Sequence, residues 1–206
     1  MDYIQKLTEY FRKFPGIGEK QASRFVYFLL RTNPAFAQEL SEMILKIREN
    51  IHQCESCFIF FSSDQSVKKN CNYCADPTTD KKTLLVVEKD VDLDAIKQSG
   101  FSKSYFVLGG LAGNETTNKS FLRTDKLIKT IESRAKEKGG KLEEVIFAFS
   151  LSPEGEHTDF FLREIIGPMS IRYGFKISSL GRGISTGTEL EYADADTIKS
   201  ALKNRQ

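Results

Sequence analysis

His52-Gln-Cys54-Glu-Ser-Cys57 is followed, thirteen residues after Cys57, by Cys71-Asn-Tyr-Cys74, and these are the four cysteines of the chain. Each Cys-x-x-Cys pair sets two thiolates on one tight turn, and the spacer lets the two turns meet around one tetrahedral ion. A closed, all-sulfur site suits zinc in a structural role, because a catalytic zinc keeps one position open for water. With four thiolates present, His52 reads as a packing or hydrogen-bonding neighbour rather than a ligand. The plainer alternatives are a redox dithiol or chance spacing. The module also divides the chain into two kinds of sequence, and that division sets the fold class.

Upstream, the pattern is helical. Ile4, Leu7, Tyr10, Phe11 and Phe14 recur at helical spacing and stop at Pro15-Gly16-Ile17-Gly18. A second helix runs through Ala22, Phe25, Val26, Phe28 and Leu29. Pro34 opens a third that reaches about Asn50, with Leu40, Ile44, Leu45 and Ile47 on its apolar face.

Downstream, short β-rich runs alternate with helical ones. The runs are Leu84–Glu88, Val91–Gln98, Tyr105–Leu108, Phe121–Lys138, Val145–Phe149, Thr158–Tyr173 and Phe175–Ser179. Alternation of this kind predicts a mostly parallel sheet between helices. Gly139-Gly140 reads as a helix stop, and Asp194 as the N-cap of a last helix from about Ala195 to Lys203. The fold class is therefore α/β overall, with a helical N-terminal region ahead of the cysteine module.

Bulk composition excludes more than it assigns. The chain has 206 residues, 40% of them hydrophobic and 28% charged. No apolar run approaches a membrane span, and Met1–Lys13 lacks the apolar stretch of a signal peptide. A reducing cytoplasm is the expectation, which argues against disulfides. The net charge of +2 does not by itself indicate nucleic acid. Placement says more: from Lys6 to Arg31, six cations (Lys6, Arg12, Lys13, Lys20, Arg24, Arg31) face two carboxylates (Glu9, Glu19), a local excess of +4.

Phe14-Pro-Gly-Ile-Gly-Glu-Lys-Gln-Ala-Ser-Arg24 joins the first two helices. Gly16 and Gly18, separated by an apolar residue, make a hairpin whose backbone N–H groups can meet a phosphate at the start of the second helix. Lys20 and Arg24 are four apart and share a helix face. Contacts of this type give sequence-independent affinity for DNA, to which Arg12 and Lys13 add charge. The alternative is a plain helical hairpin that uses Pro and Gly for geometry.

A third set is acidic. Leu84-Leu-Val-Val-Glu88 ends a strand in a carboxylate, with Asp92 four residues on, and Phe147-Ala-Phe-Ser-Leu-Ser-Pro-Glu154-Gly-Glu156 places two more after another strand. Sites in open α/β sheets form beyond the carboxyl ends of strands, and clustered carboxylates suit magnesium. Equally, acids are favoured in the first turns of helices. Both readings stand on the sequence.

Taken in order, FPGIGEKQASR, HQCESC with CNYC, LLVVEKDVDLDAI, YFVLGG, EGEHT and RGISTGTELEYADADTI resemble the RecR family of bacterial recombination mediators over nearly the whole chain. The resemblance implies a helix–hairpin–helix region (1–53), a four-cysteine zinc finger (54–80), a Toprim domain (81–175) and a C-terminal Walker B-like, oligomerising segment (176–206). It implies a ring-forming, tetrameric DNA clamp that acts with RecO and RecF to help RecA load at single-stranded gaps, with no catalysis of its own. Glu88 matches the strand-end Glu of Toprim enzymes, but Glu154-Gly-Glu156 stands where they carry Asp-x-Asp. The acidic set is then a partner-docking or weak magnesium site. Further departures are Leu111–Phe121, which lacks a Pro-Leu-Asp-Gly type of loop, Ser150-Leu151 in place of Asn-Pro, and Thr78-Thr79 in place of an arginine. No GxxxxGK[ST] phosphate loop accompanies the Walker B-like segment, so nucleotide hydrolysis has no cradle. The rivals are a magnesium-dependent Toprim nuclease or primase-like enzyme using Glu88, Asp92, Glu154 and Glu156, and a zinc-stabilised adaptor without DNA affinity.

Overall fold

The computed structural model describes residues 2–63, 69–113, 122–137, 141–181, 183–184, 187 and 189–203. The chain forms two compact units, Met1–His52 with Ser62–Ser66, and Gln53–Phe61 with Val67–Gln206. Each is considered by itself.

The first unit holds α1 (Tyr3–Phe11), α2 (Glu19–Arg31) and α3 (Pro34–Asn50). Polar side chains open two of them. Asp2 accepts the Ile4 N–H at 2.9 Å, and Asn33 accepts the Ala35 N–H at 2.9 Å with Pro34 in the first turn. α1 and α2 pack through aromatic edges: Phe11 lies 5.8 Å from Phe14 and 5.6 Å from Phe25. Ala22 and Val26 of α2 are the buried residues of the three helices. Along the expected apolar face of α3, Ile44, Leu45 and Ile47 are 58% to 68% exposed and Leu40 37%, with Met43 beside them at 57%.

Two three-residue strands, β1 (Ile51–Gln53) and β2 (Phe60–Ser62), pair as a small sheet where the chain passes from one unit to the other, and the four-residue α4 (Asn72–Ala75) belongs to the second. Then come β3 (Asp80–Val87), α5 (Asp90–Gln98), β4 (Lys103–Val107), α6 (Thr124–Lys136), β5 (Glu144–Ala148), α7 (Pro153–Tyr173) and β6 (Lys176–Ser179). A 3-10 turn at Leu190–Tyr192 precedes α8 (Ala195–Lys203). The four long strands pair in parallel in the order β4-β3-β5-β6, with Leu85 opposite both Tyr105 and Ile146.

The central β3 is buried from Thr83 to Val87, as a strand covered on both faces must be. Its side chains divide by the period of two. Leu84 and Val86 join Phe106, Phe147, Leu127 and Ile131 of α6, and Leu162 and Ile166 of α7. Leu85 and Val87 join Tyr105, Val107 and Leu93 of α5 on the opposite face.

Expected elements shift at their ends. β3 starts at Asp80 rather than Leu84, with an irregular register against β4 between those residues. α7 starts at Pro153 rather than Thr158, because Ser152 accepts the Gly155 N–H at 3.2 Å and Pro153 sits in the first turn. It ends on Gly174, whose φ of 76° suits the left-handed cap. Asp194 accepts the Thr197 N–H at 2.9 Å, as expected of an N-cap. The Gly139-Gly140 stop lies outside the described residues. Among the described residues, no helix is long and apolar enough to cross a membrane.

Phe106→Ala removes a fully buried ring, and by the usual cost of such a cavity it should lower unfolding free energy by about 3–5 kcal/mol. Ile44→Ala, on the uncovered face of α3, should change it by less than about 0.5 kcal/mol in the isolated monomer. Urea unfolding under dilute conditions measures both.

Candidate metal centre and flanking sites

The sulfurs of Cys54, Cys57, Cys71 and Cys74 all lie within 4.8 Å of one another. The first three residues are buried and Cys74 is half-buried. Cys57 Sγ and Cys71 Sγ are 3.7 Å apart. Two thiolates placed tetrahedrally at the usual zinc–sulfur bond length stand about 3.8 Å apart, whereas a disulfide would bring them to about 2.05 Å. The donor set therefore fits a four-coordinate thiophilic ion.

Local backbone builds this geometry. The Phe58 N–H donates to the Cys54 carbonyl at 3.0 Å, and the Cys54 N–H to the Ile59 carbonyl at 2.9 Å, closing the first turn. Cys71 caps α4: its sulfur takes the Cys74 N–H at 3.4 Å, while the Cys71 N–H reaches Cys54 Sγ at 3.4 Å. Ser56 Oγ and Asn70 Oδ1, 2.8 Å apart, tie the two turns together. The thiols also share protons. Hydrogen bonding with Cys57 pulls the Cys54 thiol far below its ordinary value, and the same bond pushes Cys57 far above it. A bound cation would displace the remaining protons.

The module is fastened to the edge of the sheet. The Val107 N–H of β4 donates to the Cys57 carbonyl at 2.9 Å, so the module occupies an edge that β3 does not reach. Phe58 packs edge-on against Phe106 at 5.3 Å, under the guanidinium of Arg123 at 5.1 Å. To hold that ring inward, Phe58 takes a φ of 63°, the one non-glycine in the left-handed region among the described residues. Tyr73, beside Cys74, lies 5.2 Å from Tyr105, and Asp90 accepts the Phe60 N–H at 2.9 Å. The sequence carried no sign of these attachments, since aromatics at positions 58, 73 and 105 look like ordinary core.

In the helical unit, Phe14-Pro15-Gly16-Ile17 forms a turn closed by the Ile17 N–H on the Phe14 carbonyl at 3.1 Å. Pro15 at the second position and Gly16 at the third, with φ of 75°, satisfy a type II turn. Gly18 is the N-cap of α2 and offers no side chain to the first N–H groups, which leaves them open to an anion. Arg12, Lys13, Lys20 and Arg24 are all exposed, and Lys13 Nζ stands 5.2 Å over the Tyr10 ring. Among the described residues, no carboxylate forms an ion pair with Lys20 or Arg24.

The acidic set lies at the carboxyl ends of β3 and β5 but does not converge as a unit. Among the described residues, the cysteines are the one group of three or more His, Cys, Asp or Glu side chains close enough to share an ion. Glu88 pairs with Lys89 at 3.7 Å, and Asp92 Oδ2 accepts the Lys89 N–H at 3.0 Å in the first turn of α5. Glu154 and Glu156 fall in the first turn of α7. That turn is tightly built. A Cβ on Gly155 would lie 2.0 Å from the Ser150 carbonyl oxygen. The fully buried Thr158 accepts the Ala112 N–H at 2.8 Å and donates to the Glu154 carbonyl at 2.6 Å. His157 Nδ1 meets the Ala112 carbonyl at 3.0 Å.

Three family descriptions match the chain: "RecR, helix-hairpin-helix" over residues 4–48, "Toprim domain" over 82–180 and "RecR, C-terminal" over 183–206. Similar chains include a recombination protein RecR of Chloroflexus aggregans, 35% identical across 98% of this chain and 93% of that one. Others carrying that name come from Lactobacillus acidophilus, 31% identical over 98% and 96%, and Myxococcus xanthus, 32% identical over 100% and 98%.

Cys71→Ser should abolish stoichiometric metal binding and lower the melting temperature, as read by elemental analysis and calorimetry. In the intact chain the metal should be released on acidification, because protons compete for the thiolates. Gly155→Ala forces backbone to move and should cost about 1–3 kcal/mol or more, measured by denaturant unfolding.

Proposed function

Because the chain belongs to the RecR family of recombination proteins, we propose that it is a DNA-binding recombination mediator that assembles into a ring-like, tetrameric clamp and acts with RecO and RecF to promote RecA loading at single-stranded gaps. The observation that carries the DNA reading is the uncapped start of α2 at Gly18, with Lys20 and Arg24 exposed just beyond it. Backbone N–H groups and the helix dipole take one phosphate there, while the two side chains, one turn apart, take its neighbours. Arg12 and Lys13 add charge on the other side of the hairpin, and Gly16 and Gly18 keep the approach clear. Phosphate contacts of this kind are indifferent to base sequence and serve single- and double-stranded DNA alike.

Assembly gives each chain's few cations their effect, since several copies around one duplex multiply weak contacts through avidity. The uncovered apolar face of α3 supports an assembling chain, as do Leu190, Tyr192 and Leu202, exposed near the C-terminus. The four cysteines hold one zinc ion in a structural role, organising the turn at the β4 edge without taking part in a reaction. The protein works in the cytoplasm and is not an enzyme. Glu88, Asp92, Glu154 and Glu156 serve partner docking or a weak magnesium site, a role that suits carboxylates placed in or just ahead of helix first turns better than a metal-dependent cleavage centre.

Lys20→Ala with Arg24→Ala should weaken DNA binding at least tenfold and reduce the slope of log affinity against log salt by about 2, alike for unrelated DNA sequences. Fluorescence anisotropy across a salt series measures both quantities, and unchanged binding sinks the hairpin assignment. Incubation of the wild type with supercoiled and single-stranded DNA plus magnesium or manganese should leave the DNA intact. Cleavage that disappears in Glu88→Gln would transfer the assignment to the nuclease reading.

A further inference from the structure

α6 and α7 cover one face of the sheet together. Between them lies a groove of about 210 Å³, lined by Ile128 and Glu132 of α6 and by Pro168, Met169, Arg172 and Tyr173 of α7. Pockets that take a whole small molecule run to about 300–1,000 Å³, so this one has room for a single side chain. Its walls are apolar apart from two charges, and those two differ. Glu132 is already answered: Lys136 Nζ lies 2.7 Å from its Oε1, and the Tyr173 hydroxyl donates to the same oxygen at 3.4 Å. Arg172 adds a lesser attraction to it. The Arg172 guanidinium stands 5.4 Å over the Tyr173 ring, and among the described residues it forms no ion pair. The charge left to meet a ligand is therefore positive.

Beside the groove, the sequence of α7 is poorly suited to a helix for its own sake. Gly167 and Pro168, the two residue types least favourable in a helix interior, stand together there. Crowding does not call for the glycine, since a Cβ on Gly167 would meet nothing within 4 Å. Pro168 has no N–H to give the Glu164 carbonyl one turn back. Ile171, one turn on from both, is 88% exposed, the most exposed large hydrophobic residue among those described. Helix stability is thus given up where the fold gains no packing in return, as expected of a surface kept for something else.

We propose that this face of α6 and α7 docks an acidic peptide segment of another protein, with one apolar side chain in the groove between Ile128 and Met169 and a carboxylate on Arg172. The peptide backbone lies over the open ground at Gly167, against Ile171. A basic segment is disfavoured, because Arg172 repels it and Glu132 already has its cation. Docking here depends on neither the DNA reading nor the metal reading.

The test uses the full-length protein and fluorescein-labelled nonapeptides, read by fluorescence anisotropy. Their central residue is leucine, isoleucine, methionine, phenylalanine or, as a control, serine, and the flanks are all glutamate or all lysine. At least one glutamate-flanked peptide with an apolar centre should bind saturably, and its serine counterpart should not. Arg172→Glu should weaken that binding about tenfold. Met169→Gln, which keeps the length of the side chain and loses its apolar end, should weaken it too. The variant with Lys20→Ala and Arg24→Ala should bind the peptide as the wild type does, which separates the groove from the cationic hairpin. Failure of every glutamate-flanked peptide to bind overturns the proposal, as does equal or tighter binding of the lysine-flanked set. So does binding that Arg172→Glu leaves unchanged or that the hairpin variant abolishes. An Arg172→Glu protein whose mass by light scattering differs from the wild type marks the groove as a contact between copies, and overturns it as well.

Discussion

A parallel sheet must cover two faces and protect two edges, and the β4 edge of this one is met by the cysteine module. The bond from the Val107 N–H to the Cys57 carbonyl is a small interaction on which much depends. It links a short segment, whose own cluster holds three buried cysteines with Ile59, Phe61 and Tyr73 against them, to a sheet with a full core. Around it, Phe58 on Phe106 and Tyr73 on Tyr105 turn one backbone contact into a packed junction. The module contributes an organised turn, and the sheet contributes the burial that keeps three of the four cysteines out of water.

The helical unit is built on the opposite plan. Its aromatic edges hold α1 against α2, yet among its helices only Ala22 and Val26 are buried, and α3 carries a row of exposed aliphatic side chains. A chain with this much unsheltered apolar surface gains by associating. The charged hairpin lies in the same unit, so the exposed apolar residues and the proposed grip on DNA draw on one short stretch of sequence.

The fold class and the four-cysteine cluster were legible because each leaves a periodic or spaced signature. The run from Leu84 to Val87 reads as a strand covered on both sides, and two Cys-x-x-Cys pairs read as one site. The start of α7 was not legible, because Ser152-Pro153-Glu154-Gly155-Glu156 looks like a loop after a strand until Ser152 is seen to cap it. That one cap places Glu154 and Glu156 in the first turn of a helix, while Asp92 closes the start of another. The turn between α1 and α2 was legible, because Pro15 and Gly16 occupy the places that a type II turn requires.

The pairing of Tyr73 with Tyr105 has a consequence for observation. The chain contains no tryptophan, so its near-ultraviolet absorbance and emission come chiefly from seven tyrosines. One member of this pair is the immediate neighbour of Cys74, and the other is a buried residue of the sheet's edge strand. Changes in the state of the cysteine turn are therefore written into an intrinsic optical signal at the seam, with no label attached.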